Sequence, residues 1–335
     1  MPEAPRQRVI DEARRALVRL AARHAGLRRL MERTSHELAR AVDRGQAAAE
    51  AHEAGIDATY GGSYFGEGRD ASGDREGRSG YARYDRIASN ADIAGWLLWR
   101  NFRVANALDV GCATGYLVEV LRERGIDAEG CDLSPFAVDH PAPGAAGHLR
   151  VVNLFAGLPW EDRSFELVTA LEILEHLPPD RVATAIRELA RVCGGYLYAT
   201  IPSFGVNDSG ADGHFEGKVR PERVAHYREL GPAFEGPVPE EDLAVDAEGN
   251  LVEGHLTIAS FRWWTEQFAA AGLTRRTDIE KRLYADVAPA GLEPFWNIYV
   301  LEAAGARAGI AEPRSPDRTL AELGLDHPLL EAANG

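Results

Sequence analysis

Short apolar runs alternate with amphipathic stretches through the middle of the chain. ANALDVG (105–111) reads as a buried strand, and YLVEVLRERG after it as a helix. Further strands are predicted at 127–131, 149–153 and 166–171, then a helix from Pro179 to Val192 and a strand in GYLYATIP. Such alternation implies right-handed crossovers and a mostly parallel sheet, an α/β class of fold. Residues 203–254 interrupt it with a long insertion rich in glycine and acid. The aromatic helix FRWWTEQFAAAG (261–272) follows, and closing strands are predicted at 274–286 and 295–303.

The flanks read differently. Val9, Ala13, Leu17, Leu20, Ala21, Leu27, Leu30 and Leu38 recur at broadly helical spacing. They predict one or two amphipathic helices whose apolar stripe needs a partner, either the core or a second copy of the chain. A homodimer through these helices is therefore an expectation. Residues 55–85 are rich in glycine and charge, with Tyr60, Tyr64, Phe65, Tyr81 and Tyr84 scattered among them. That composition suits a lid over a ligand or a surface linker. From Asp85 a helical pattern with Ile87, Ile93, Trp96, Leu97 and Trp99 leads into the first strand. The chain thus divides into N-terminal helices (1–54), a lid and lead-in helix (55–100), a core (101–303) holding the insertion, and an exposed tail (304–335).

Charge and cysteine content narrow the partners. A formal net charge of -15 repels phosphate polyanions and anionic lipid headgroups, so neither nucleic acid nor a membrane surface is an expected partner. Cys112, Cys131 and Cys193 form no CxxC pair and no disulfide framework, which fits a reducing cytoplasm. The N-terminus is charged where a signal peptide would turn apolar, and no run approaches the roughly 18 apolar residues of a membrane span.

Candidate chemistry begins where the first strand enters its helix, at Asp109-Val110-Gly111-Cys112-Ala113-Thr114-Gly115. Gly111 and Gly115 let the backbone turn sharply and approach a ligand at the carboxyl edge of the sheet. Asp132, ending the next strand, can accept both ribose hydroxyls of an adenosine. The spacing D-x-G-x-x-x-G lacks the third glycine of a pyrophosphate-binding loop, and no Walker lysine follows. A carboxylate at Asp109 suits an ammonium and a sulfonium better than a phosphate, which points to S-adenosylmethionine.

These segments, with SFELVTALEILEHL, resemble successive motifs of class I methyltransferases over roughly residues 100–202, with a weaker echo through 255–303. The resemblance implies a Rossmann-like, doubly wound, mostly parallel seven-stranded sheet carrying an N-terminal helical extension and a cap insertion. It places Asp109, Gly111, Cys112 and Gly115 along the methionine and ribose side, Asp132 on the ribose diol and Leu133 beside the adenine. Asn153 stands where the family often has an aspartate for the adenine amino group, and Leu154 and Leu171 complete the cofactor set.

Beyond the fourth strand, Leu171-Glu172-Ile173-Leu174-Glu175-His176 would, if helical, set Glu172, Glu175 and His176 on one face toward the transferable methyl group. Two carboxylates and an imidazole suit Mg²⁺, Mn²⁺, Fe²⁺ or Zn²⁺, which could lower the pKa of an acceptor hydroxyl. The E-x-x-E-H pattern is similar to that of ubiquinone-pathway O-methyltransferases and small-RNA terminal 2′-O-methyltransferases. In the latter another histidine completes a metal site, and His255 or His214 could match it, His255 leading directly into the aromatic helix. Without a metal, His176 is the leading general base and Glu172 its neighbour, or His176 is a buried structural histidine. The expected activity is methylation of a hydroxyl on a small molecule such as a sugar, glycoside or secondary metabolite. Alternatives are a quinone-precursor phenol, an RNA 3′ end, a nitrogen acceptor, or a non-catalytic cofactor-binding partner.

Overall fold

The computed structural model describes residues 64–65, 84–205, 207–209, 216–230, 234, 236–245, 249, 251–288 and 297–315. The expected N-terminal helices, most of the 55–85 segment, the last 20 or so residues and His214 lie outside these residues.

Five strands carry the parallel part of the sheet: β1 (Asn106–Val110), β2 (Asp127–Asp132), β3 (Leu149–Val151), β4 (Phe165–Leu171) and β5 (Cys193–Thr200). Two later strands, β8 (Leu273–Arg275) and β9 (Ile298–Ala303), complete a seven-stranded sheet of order β3-β2-β1-β4-β5-β9-β8. β9 runs antiparallel to β5 and to β8. The strand order reverses between β1 and β4, and at such a switch point the loops part to leave a crevice at the carboxyl ends of the strands.

Helices cover both faces, which explains why the central strands are apolar almost throughout. Ala107 and Leu167 face one core with Leu97 of α1 (Ala91–Asn101), Leu121 of α2 (Tyr116–Glu123) and Leu283 of α7 (Thr277–Val287). Their neighbours Leu108 and Val168 face the other, with Ile186 of α4 (Pro179–Val192) and Trp264 of α6 (Phe261–Ala270). A short helix, α3 (Pro135–Asp139), follows β2 and is capped by Ser134, whose Oγ accepts from the Ala137 N–H at 3.1 Å.

One predicted strand is wrong. Of residues 274–286 only Thr274 and Arg275 pair in the sheet, as part of β8, and α7 begins at Thr277. Ile279, Leu283 and Val287 recur every four residues, and all are buried on the core side of that helix.

The insertion is more structured than its composition suggests. It holds α5 (Pro221–Leu230), and the short strand β6 (Ser203–Phe204) pairs with β7 (Ala259–Ser260) at its two ends. Phe204, Val219, Tyr227, Val238, Leu243 and Ile258 form a separate small core. A buried polar network roots its first residues in the sheet edge. Arg275 donates to both oxygens of Glu280 at 2.9 Å, while Asn207 and Ser209 bond to that pair. No helix among the described residues is long and apolar enough to cross a membrane.

Arg275→Met strands the fully buried Glu280 carboxylate. It should cost about 3–5 kcal/mol in urea unfolding, and adding Glu280→Gln should recover part of that loss by removing the unpaired charge.

Candidate active site

The turn after β1 is built from left-handed backbone. Gly111, Ala113 and Gly115 all have positive φ, at 75°, 48° and 83°. A Cβ on Gly111 would come within 2.1 Å of Ile173 Cδ1, and one on Gly115 within 2.8 Å of Ala145 Cβ. The glycines therefore admit neighbouring protein as well as conformation, a reason beyond close approach to a ligand. Ala113 holds its strained conformation with help from Asp132, whose Oδ2 accepts the Ala113 N–H at 2.8 Å. The other oxygen of Asp132 accepts the Ser134 N–H, also at 2.8 Å. Asp132 thus clasps the loop to the end of β2. Its recessed position pushes its pKa up, against the pull of those backbone donors.

Asp109 is buried in the floor beneath the loop. Its Oδ1 accepts from the Thr169 hydroxyl at 2.6 Å, across the β1–β4 pairing that sets the two residues side by side. Burial pushes its carboxyl up to about 7, while the Thr169 bond lowers it and the charge of Asp132 adds to the rise. Thr114 Oγ1, within the loop, is buried with no hydrogen-bond partner among the described residues. Cys112 packs its side chain into the core, leaving its backbone to the turn. Leu133 and Leu171 are half-buried at the strand ends. Asn153 Oδ1 accepts from the Phe155 N–H at 2.9 Å, which turns the chain before the half-buried Leu154.

The stretch after β4 is not an α-helix, so Glu172, Glu175 and His176 do not share a helical face. Glu172 sits in left-handed backbone at φ 52° and is exposed, and a single 3₁₀ turn spans Leu174–His176. The Glu172 N–H donates to the Thr200 carbonyl at 2.9 Å, which keeps the chain on the β5 edge before it breaks away. A non-glycine residue in this conformation at a strand end is the kind of strain that functional sites retain.

That turn carries Glu175 inward. Its backbone carbonyl accepts the N–H groups of Leu256 and Thr257 at 2.8 and 2.9 Å, bringing His255 from the end of the insertion to the site. Candidate ligand atoms of Glu175, His176 and His255 all lie within 4.8 Å of one another, and Glu172 is outside this trio. His255 Nε2 stands 4.0 Å from Glu175 Oε1, and the two imidazole rings meet edge to face at 4.8 Å. His176 Nδ1 lies 3.2 Å from the Gly254 carbonyl. Glu175 is fully buried and neither carboxylate oxygen receives a hydrogen bond among the described residues. Burial, then the nearby charge of Glu172, pushes its pKa well above the usual carboxylate range. Burial likewise lowers His255 to about 2, with His176 and Lys218 contributing.

Three residues given no role from the sequence therefore belong to this region: Thr169, Thr114 and Lys218. Thr169 is found only by knowing the strand register, and Lys218 only by knowing how the insertion folds back. Thr114 was visible inside the glycine loop.

Residues 108–199, from β1 through β5, match the methyltransferase domain family. They form a class I, S-adenosylmethionine-dependent methyltransferase domain. The methyltransferase domain is 36% identical over 101 residues to a ubiquinone biosynthesis O-methyltransferase of Methylococcus capsulatus, covering 28% of this chain and 43% of that protein. A protein of the same name from Ralstonia nicotianae is 32% identical over 125 residues, covering 36% and 49%. The match thus spans about half or less of these curated relatives. A solved S-adenosylmethionine-dependent methyltransferase from Methanosarcina mazei is 17% identical with a TM-score of 0.39, covering 59% of this chain and 92% of that one.

Gly111→Ala places a side chain at φ 75° against Ile173 and should cost about 1–3 kcal/mol in denaturant unfolding. Ala113→Gly, which relaxes a left-handed alanine, should leave stability nearly unchanged.

Proposed function

We propose that the chain transfers a methyl group from S-adenosylmethionine to a hydroxyl of a small molecule, with a phenol as the acceptor class. The cofactor reading rests on the clasped turn. It supplies a carboxylate at Asp132 for a ribose diol, a buried carboxylate at Asp109 for positive charge, and the orphaned Thr114 hydroxyl as a donor or acceptor. Gly111, Cys112 and Gly115 contribute backbone to the same cradle, Leu133 and Leu154 its apolar walls, Asn153 a polar edge and Leu171 its border with the acceptor.

The observation that carries the acceptor chemistry is the convergence of Glu175, His176 and His255 beside the end of β4. A buried carboxylate grouped with two imidazoles fits a divalent cation, which Glu175, His176 and His255 would hold with Glu172 adjacent. When bound, the ion would supply charge that favours an ionised acceptor oxygen. Without an ion, His176 is the group assigned to take the hydroxyl proton.

The names of the relatives favour a phenol over the sugar or natural-product hydroxyl expected from composition. Phenols also ask less of the site. A phenol ionises near 10 in water, whereas water's own hydroxyl does so near 15.7, so one imidazole suffices to share its proton.

Two measurements test the proposal. Labelled S-adenosylmethionine should methylate simple phenols or catechols in preference to glycosides and RNA oligomers. Turnover should fall about 10²–10⁴-fold in His176→Ala, and chelator should abolish it reversibly where the ion takes part. Undiminished turnover in His176→Ala would remove the assigned base. The second measurement is pH dependence. Asp109, raised to about 7, is ionised only above that point, so affinity for the cationic cofactor should tighten as pH rises through about 7. Without ligand the sign is opposite, because a raised carboxyl withdraws stability as pH rises from its unfolded value toward 7. Asp109→Asn should flatten both trends.

A further inference from the structure

Four aromatic rings bridge the two elements that frame the proposed cofactor cleft. Tyr116 opens α2 directly after Gly115, and Phe136 lies in α3 just beyond Asp132. Phe65 stacks on Phe136 with ring centroids 5.9 Å apart and planes 15° apart, and meets Tyr84 edge-on at 5.4 Å. Tyr84 in turn lies 5.9 Å from Tyr116. All four rings are half-buried, and Phe65, Tyr84 and Phe136 belong to none of the three apolar cores. Tyr116 packs against the first of those cores, so the row runs outward from the core with its rings only half-buried.

The row is also anchored at its base. The Tyr84 N–H donates to the Phe65 carbonyl at 3.3 Å, tying the two residues together. Two positions on, Arg86 bonds Asp92 at 2.7 Å and Glu123 at 2.6 Å and reaches Glu119 at 3.4 Å, which fixes the strap to α1 and α2.

We propose that Phe65 and Tyr84 are cofactor-binding residues, forming an aromatic cover over the adenosine half of S-adenosylmethionine, with Arg86 as the positioning residue that holds the cover down. The proposal rests on the cofactor reading above. An adenine has a π-face that such rings can stack on or shield, and exclusion of water there strengthens the polar grip of Asp132 on the ribose. The cover comes from outside the matched residues 108–199.

The test is calorimetric titration of the full chain with S-adenosylhomocysteine, alongside the thermal midpoint without ligand. Phe65→Ala and Tyr84→Ala should each weaken binding about tenfold through faster dissociation, with the ligand-free midpoint little changed. Tyr84→Phe should retain affinity, and Arg86→Met should fall between. Phe65→Leu, which preserves apolar volume without the ring, separates loss of stacking from loss of packing and should also weaken binding. Affinities within twofold of wild type in both alanine variants would overturn the cover. Failure of the wild-type chain to bind at all would instead overturn the cofactor reading, and the cover with it.

Discussion

The cleft depends on one clasp: the carboxylate of Asp132 holding the N–H of Ala113. That bond joins the end of β2 to the turn after β1 and keeps an alanine in backbone it would not otherwise favour. Because β1 and β2 pair in parallel from Asn106↔Asp127 to Val110↔Cys131, both strands finish at the same level. The clasp then fixes the gap between them. Gly111 and Gly115 lie in that turn, and beneath it stands Asp109, which the sheet buries and Thr169 steadies.

The cluster of Glu175, His176 and His255 is assembled differently, by the return of the insertion. Glu175 reaches the interior because the chain breaks from β4 at Glu172 and turns once. Its carbonyl then receives two N–H groups from the segment that carries His255. The site therefore joins the common core to a part of the chain outside the matched family region. The polar network of Arg275, Glu280, Asn207 and Ser209 fixes the other end of that insertion, so both its roots are tied to the sheet.

Much of the fold was legible because burial on both faces leaves a distinctive record. ALDVG and ELVTA place apolar residues on both faces of their strands, and the starts of α2, α3, α4 and α5 are marked by glycine or proline. The misread strand at 274–286 shows the limit of that record: the apolar stripe of Ile279, Leu283 and Val287 is interrupted by the charged side chains of Arg275 and Glu280, which are buried as a pair. Within the site, Asp109, Gly111 and Asp132 could be read from local spacing, since their geometry is fixed by one turn. The relation of Glu175 to His255 could only be guessed at. The helical geometry imagined for E-x-x-E-H was wrong, because a left-handed residue at Glu172 resets the direction of the chain. Lys218 and the aromatic row depend on contacts between segments far apart in sequence, which no local pattern encodes.

The most direct test of the account is a crystal structure of the chain with S-adenosylhomocysteine. The account predicts the ribose hydroxyls on Asp132, the ammonium group toward Asp109, and the sulfur facing the side occupied by His176. A ligand bound elsewhere, or an Asp132 side chain turned away from it, would contradict the central claim.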